Sequence, residues 1–154
     1  MTGKLKVNDI DIILTNLLDY LKHEFGKQLI AVVIYGSYAQ GKADHGSDVD
    51  LLIVIKELLR DWQIIHQMED DCMFRAREFG KRFQITLASP EDVEDSIESA
   101  APLMLEIYNK HSIIFDPSGF FRDCIDCMEY IVKERGIRMK RHGVWEVPEH
   151  AVSL

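Results

Sequence analysis

Cysteine, proline and long apolar runs are all scarce in this sequence of 154 residues. Its three cysteines do not form a disulfide framework, which indicates a reducing compartment, and we expect a cytoplasmic protein. No apolar run approaches the roughly 20 residues that a membrane-spanning helix needs. The first residues also lack the basic and then apolar layout of a signal peptide. We therefore expect neither a membrane protein nor a small secreted domain stapled by disulfides.

Positive charge is also in short supply, because 18 lysines and arginines face 26 acidic residues. The formal net charge of −8 opposes general binding to phosphates, so nucleic acid is not an expected partner. A basic segment at residues 133–142 is interpreted as a solubilising helix end. Its alternative interpretation is a surface for a partner protein, for RNA or for a triphosphate tail. Hydrophobic residues at 47% predict an ordinary globular core.

Apolar periodicity predicts one mixed α/β domain over residues 1–154. Helical spacing predicts helices at residues 8–25, 57–80, from 90, 104–109 and 120–135. Short β-branched runs predict strands at residues 28–35, 48–55, 82–88, 112–115 and 144–147. We expect the helix and strand after about residue 119 to form an appended element.

Three smaller features receive structural interpretations. The predicted helix at residues 57–80 should turn an apolar stripe towards the core: Leu58, Leu59, Trp62, Ile65, Cys72, Met73 and Phe74. The acidic run at residues 69–71 is interpreted as a solvated face of that helix. Cys124 and Cys127 fall within a helix without a second cysteine pair, so we expect buried small side chains rather than a zinc or redox site.

The residues with chemical potential lie between the first two predicted strands. Gly36 and Ser37 follow the first strand, where glycine lets a ligand approach the backbone and a hydroxyl can donate to it. A helix that starts after Ser37 would point its N–H groups at a phosphate. Asp48 and Asp50 lie two residues apart on a strand and therefore share one face. Such carboxylates repel unless a cation such as magnesium lies between them, which indicates phosphoryl or nucleotidyl transfer.

This pattern resembles that of a known family. The motif G-S-Y-A…G…S-D-V-D-L-L at residues 36–52 resembles the GS…DxD motif of the DNA-polymerase-β-like nucleotidyltransferase superfamily. The short chain is similar to its minimal nucleotidyltransferase (MNT) family. The resemblance implies the nucleotidyltransferase fold, a small mixed β-sheet flanked by helices.

The resemblance also implies roles for individual residues. Asp48 and Asp50 would bind the ions of a two-metal magnesium site and act as the catalytic carboxylates. For contact with the triphosphate tail, the alternatives to the basic segment at residues 133–142 are Lys42, Lys81 and Arg82, because they lie closer in sequence to the proposed site. The expected nucleotide-binding residues are Gly36, Ser37, Lys42 and Ser47.

The implied reaction is attack of a hydroxyl group on the α-phosphorus of ATP, or of another nucleoside triphosphate, with release of pyrophosphate. Members of the family that this chain resembles often pair with a HEPN-domain protein as its antitoxin, and some transfer AMP to it. We therefore expect a HEPN-type partner protein, and we expect the chain to form a homo- or hetero-oligomer.

One position departs from the superfamily pattern, because Gln84 stands where a third carboxylate is expected. A glutamine amide cannot act as a base and coordinates metals weakly through its carbonyl oxygen. One interpretation is an active enzyme in which the substrate, Asp44, His45 or Glu78 supplies the missing ligand. The other is a catalytically degenerate protein that binds nucleotide, or only a partner, as an antitoxin would.

Overall fold

A mixed four-stranded sheet organises this protein, for which the computed structural model describes residues 7–44, 46–140 and 143–148. The helices are α1 (Val7–Phe25), α2 (Gly36–Ala39), α3 (Trp62–Ala76), α4 (Pro90–Glu98), α5 (Pro102–Asn109) and α6 (Phe120–Glu134). The strands are β1 (Leu29–Tyr35), β2 (Val49–Ile55), β3 (Phe83–Ala88), β4 (Ser112–Phe115), β5 (Arg138–Met139) and β6 (Trp145–Glu146). None of the helices described there is both long and apolar enough to cross a membrane.

The strand order β3-β2-β1-β4 brings the end of β1 to the start of β2 and β3. Strand β1 runs antiparallel to β2, whereas β2 runs parallel to β3. In this register Asp50 pairs with Tyr35 on one side and with Gln84 on the other. Directly paired residues share a face of the sheet. These three side chains therefore form one row across the end of the sheet, where β1 finishes and β2 and β3 begin.

Helices cover both faces of the sheet, which explains why β1 and β2 are almost continuously apolar. On one face, α1 and α3 pack against Val49, Leu51 and Ile53 of β2. On the other face, α4, α5 and α6 pack against Leu52 and Val54. The two-residue period of a strand places Asp50 on the second face, which α4, α5 and α6 cover.

The region of α3 corrects two predictions. The helix begins at Trp62 rather than at residue 57, because Asp61 caps it by accepting the N–H of Gln63 at 2.9 Å. The predicted apolar stripe is also wrong in part, since the side chains of Leu59, Trp62 and Phe74 are exposed. The face that packs into the core consists of Ile65, Met68, Cys72, Met73 and Ala76.

Two further interpretations need correction. Glu69 is not part of a solvated face, because its Oε2 accepts the N–H of Leu87 at 2.8 Å. Strand β3 lies at the edge of the sheet, and this carboxylate satisfies a donor that would otherwise be open to another chain. Cys127 is exposed, whereas Cys124 is buried as expected.

The second half of the chain follows the sequence pattern closely. Ser89 caps α4, the helix expected from residue 90: its hydroxyl accepts the N–H of Asp92, and the carboxylate of Asp92 accepts the N–H of Ser89, both at 3.1 Å. Phe121 is fully buried against the sheet, so α6 shares the main core. The interpretations of His45 and of residues 141–142 in the basic segment concern positions outside the described residues.

Candidate functional site

The end of β1 runs directly into the short helix α2. This helix begins at Gly36, earlier than the predicted start after Ser37. The carbonyl of Gly36 accepts the N–H of Gln40 at 3.0 Å, and the carbonyl of Ser37 accepts the N–H of Lys42 at 2.9 Å. Gly36 and Ser37 thus lie in the first turn, where backbone N–H groups have no carbonyl partner within the helix.

Gly36 and Asp50 are in close contact across the β1–β2 pair. Gly36 has a φ of +72°, a left-handed conformation that favours glycine. A Cβ atom at this position would also overlap Oδ2 of Asp50. Glycine is therefore needed twice, for its backbone angle and for the space that the carboxylate occupies. The glycine of the G-S pair and the second aspartate of the D-x-D pair form one structural unit.

The loop between α2 and β2 is held by its own side chains. Oδ1 of Asp44 accepts the N–H of Gly46 at 2.9 Å and the hydroxyl of Ser47 at 3.2 Å. The hydroxyl of Ser47 in turn accepts the N–H of Asp44 at 3.0 Å. Asp44 and Ser47 therefore shape the approach to Asp48, and the exposed side chain of Lys42 lies on the same loop.

Asp48 is contacted by one residue of β3 and by one residue just before this strand. Nε2 of Gln84 donates a hydrogen bond to its Oδ2 at 3.3 Å, and Nε of Arg82 lies 3.1 Å from its Oδ1. The carbonyl of Arg82 also accepts the N–H of Val49 at 3.0 Å, which fixes Arg82 beside Asp48. Despite the ion pair, Oδ1 is buried and accepts no hydrogen bond from any residue that the structure describes.

The environment of Asp50 is electrostatically unfavourable for a carboxylate. Burial raises the pKa of Asp50 most, and the negative charges of Glu106 and Asp48 raise it further. Glu106 lies on α5, between Met104 and Ile107, which pack in the same cluster as Tyr35. Sequence reasoning missed Glu106, because only the packing of α5 on this face of the sheet brings its charge near Asp50.

The two aspartates fit one divalent cation. Asp48 presents a buried oxygen without a hydrogen-bond donor, and Asp50 carries a charge that its surroundings destabilise. A cation would relieve both conditions, and magnesium is commonly bound by one or two carboxylates together with substrate phosphates. In the described part of the chain, no three His, Cys, Asp or Glu side chains converge on one point.

The remaining candidates lie in different surroundings. Lys81 is buried, with its Nζ 5.3 Å from the ring centroid of Tyr38. Glu78 belongs to the turn Arg77–Phe79, which packs against α1 and α3 on the opposite face from Asp50. Arg82 lies beside the paired aspartates, with its Nε 3.1 Å from Oδ1 of Asp48.

A separate groove of about 820 Å³ lies between α4 and α6, away from the aspartates. Its apolar part is formed by Ile97, Phe120, Cys124, Tyr130 and Ile131. Its acidic part is formed by Glu94, Glu98, Asp123, Asp126 and Glu134. Arg135 is the basic residue of the lining, and it is paired with Glu98 at 2.9 Å.

Comparison with known sequences settles the family. Residues 15–119, which contain the whole site, match the model of the family described as "Polymerase beta, Nucleotidyltransferase". The chain belongs to this nucleotidyltransferase family. It is also 30% identical over 139 residues to the "Putative protein adenylyltransferase MJ1305" of Methanocaldococcus jannaschii, covering 89% of this chain and 93% of that relative. The resemblance seen in the G-S and D-x-D motif is confirmed at the level of the family.

Two solved structures share the fold. The toxin–antitoxin MntA–HpeT contains a chain that is 13% identical, with a TM-score of 0.50 over 79% of this chain and 91% of that one. The spectinomycin adenyltransferase AAD(9) of Enterococcus faecialis is 17% identical, with a TM-score of 0.50 over 84% of this chain and 68% of that one. At such identities the likeness concerns the fold, and the predicted nucleotidyltransferase fold is confirmed.

The contact between Gly36 and Asp50 can be tested by paired glycine substitutions. Gly36→Ala and Gly41→Ala both place a side chain on a left-handed backbone, at a cost of about 1–2 kcal/mol in free energy of unfolding. Only Gly36→Ala also displaces the Asp50 carboxylate, since the space around Gly41 is open. We expect Gly36→Ala alone to lose binding of ATP with magnesium in calorimetric titration. Equal loss in both variants would contradict the role of this contact.

The charge of Asp50 predicts a pH dependence of stability. Its folded-state pKa lies above the ordinary value of 3.8, so the folded protein holds more protons than the unfolded chain between the two values. The free energy of unfolding contributed by Asp50 therefore falls as the pH rises through this window. Asp50→Asn should raise the melting temperature at pH 7, and the gain should vanish as the pH falls through 3.8. Thermal unfolding of the exposed-site control Asp19→Asn should show no gain, and a loss for Asp50→Asn would refute the prediction.

Proposed function

We propose that this protein is a magnesium-dependent adenylyltransferase that transfers AMP from ATP to a hydroxyl group of a partner protein. The observation that carries the proposal is that Asp48 and Asp50 lie beside the Gly36-Ser37 turn at one end of the sheet. The name of the relative that is 30% identical supports adenylyl transfer to protein as the specific reaction. The nature of the acceptor is the part of the proposal that goes furthest beyond the family.

In this proposal the chain binds the nucleotide through four residues and orients it through two. The first-turn N–H groups at Gly36 and Ser37 donate hydrogen bonds to phosphate oxygens, because the start of a helix favours negative charge. Lys42 offers a positive charge from the adjoining loop, and Ser47 keeps that loop in shape. Magnesium, when bound, would neutralise phosphate charge and polarise the α-phosphate.

The transfer is a displacement at the α-phosphorus of ATP. The acceptor oxygen forms a bond to the α-phosphorus, the bond from that phosphorus to the bridging oxygen of pyrophosphate breaks, and the hydroxyl proton passes to solvent. The carboxylates of Asp48 and Asp50 would bind the cation and, through it, hold the α-phosphate in place. The contact of Asp50 with Gly36 ties this surface to the phosphate cradle, so both parts hold one substrate in one orientation.

The proposal can be tested before the acceptor is known. Calorimetric titration of ATP with magnesium should show binding to the wild-type protein and at least about tenfold weaker binding to Asp48→Asn/Asp50→Asn, since a tenfold change corresponds to about 1.4 kcal/mol. The control Asp70→Asn/Asp71→Asn removes two exposed carboxylates from α3 and should bind like the wild type. Absence of binding by the wild type, or unchanged binding by the site variant, would reject the proposed function.

A second candidate function is that of an antitoxin-like interaction protein, and the groove between α4 and α6 favours it. An apolar surface with five acidic residues beside it fits a helix that carries apolar and basic side chains. We propose a HEPN-type protein that presents such a helix as the occupant. In this case Gln84 at the third carboxylate position would matter little, because binding of the partner does not use the nucleotide site.

The two functions separate in a neutralisation experiment with a HEPN-type toxin expressed in the same cells. If the groove carries the activity, Tyr130→Ala should lose neutralisation, because Tyr130 is 67% exposed and lines the groove. Phe74→Ala removes an equally exposed aromatic ring from α3 and should behave like the wild type. Asp48→Asn should also retain neutralisation. Loss in Asp48→Asn with retention in Tyr130→Ala would instead favour adenylyl transfer.

A further inference from the structure

We propose that this site holds a single divalent cation, and that Arg82 and Gln84 together replace a second ion and its carboxylate ligand. The inference rests on the proposed function, because the ion would enter with the nucleotide. It concerns the residues of β3 and of the segment leading into it, which the pairing with β2 places beside Asp48. Three observations on Asp48, Arg82 and Gln84 carry it.

The first observation is that Asp48 has two neighbours on the β3 side, a hydrogen-bond donor at Oδ2 and a positive charge beside Oδ1, which itself accepts no hydrogen bond from the described residues. Gln84 donates to Oδ2 at 3.3 Å, and the Nε of Arg82 lies 3.1 Å from Oδ1. A carboxylate offers about four acceptor positions, so Asp48 can keep these contacts and still bind one ion together with Asp50. The β3 side of Asp48, where a second ion would need ligands, is taken by a guanidinium group and an amide.

The second observation is the orientation of the Gln84 side chain. A carboxylate only accepts hydrogen bonds, so the amide must present its nitrogen to Asp48 and turn its carbonyl oxygen away. Turning the carbonyl towards a cation at Asp48 would break this hydrogen bond. Gln84 is therefore a positioning residue for Asp48, and it is not free to serve as a metal ligand in the same state.

The third observation is the charge balance. A carboxylate with a divalent ion carries one net positive charge, and a neutral glutamine beside an arginine also carries one. Arg82 and Gln84 thus preserve the charge of an ion–carboxylate unit while removing its ligand. A second divalent ion would have to enter beside the guanidinium of Arg82, and like charges at such distances repel. The structure offers no third acidic ligand among the described residues to offset that repulsion.

The experiment counts ions rather than products. Manganese bound per chain is measured by electron paramagnetic resonance at saturating non-hydrolysable ATP analogue. We expect one ion per chain for the wild type. We expect two ions for Gln84→Asp/Arg82→Gln, because this variant restores the carboxylate and removes the guanidinium.

A matched control changes the net charge by the same amount elsewhere. Asn16→Asp/Arg122→Gln alters exposed positions on α1 and α6 and should still bind one ion. Two ions in the wild type, or one in Gln84→Asp/Arg82→Gln, would overturn the proposal even though the analogue binds. Failure of the wild type to bind the analogue would instead overturn the proposed function, and the single-ion site with it.

Discussion

The close contact between Gly36 and Asp50 is the constraint on which the rest of the site depends. The antiparallel pairing of β1 with β2 places the last residue of one strand opposite the second residue of the other. The carboxylate of Asp50 then lies against the backbone at the start of α2, where a Cβ atom would overlap it. The first-turn N–H groups and the Asp50 carboxylate are therefore neighbours, and the proposed substrate, a phosphate with its cation, would meet both at once.

This arrangement lowers the stability of the folded protein, and this loss is what one expects at a site that binds a ligand. Asp50 is half-buried close to two other negative charges, and a buried oxygen of Asp48 lacks a hydrogen-bond donor among the described residues. An unsatisfied buried polar atom costs about 1–3 kcal/mol, whereas an ion pair as exposed as that of Arg82 returns about 0–1 kcal/mol. The ion pair with Arg82 therefore does not offset the cost of burying the Asp48 oxygen. Unfavourable electrostatics of this kind are typical of sites whose missing partner is a ligand.

The sequence predicts the sheet and the position of the aspartates well, because both depend on local patterns. Period-two alternation in β3 and the i, i+2 spacing of Asp48 and Asp50 follow directly from strand geometry. The sequence fails where the answer depends on which helix packs on which face. The sequence presents Glu69 as part of an acidic surface, whereas in the structure its carboxylate accepts the N–H of Leu87 on the edge strand β3. The sequence presents Glu106 as an ordinary helical residue, and only the packing of α5 on the face of the sheet that carries Asp50 brings the two charges together.

Gln84 shows why loss of a ligand and loss of function are separate questions. From the sequence, a glutamine at a carboxylate position reads as damage. In the structure, its amide holds Asp48 in place while Arg82 brings a charge to the same carboxylate. Both residues reach Asp48 because the parallel pairing of β3 with β2 sets Gln84 opposite Asp50 and keeps the carbonyl of Arg82 on the N–H of Val49. The change at Gln84 is thus coupled to Arg82 by backbone geometry, and a compensated site retains the charge that stabilises a transferring phosphoryl group.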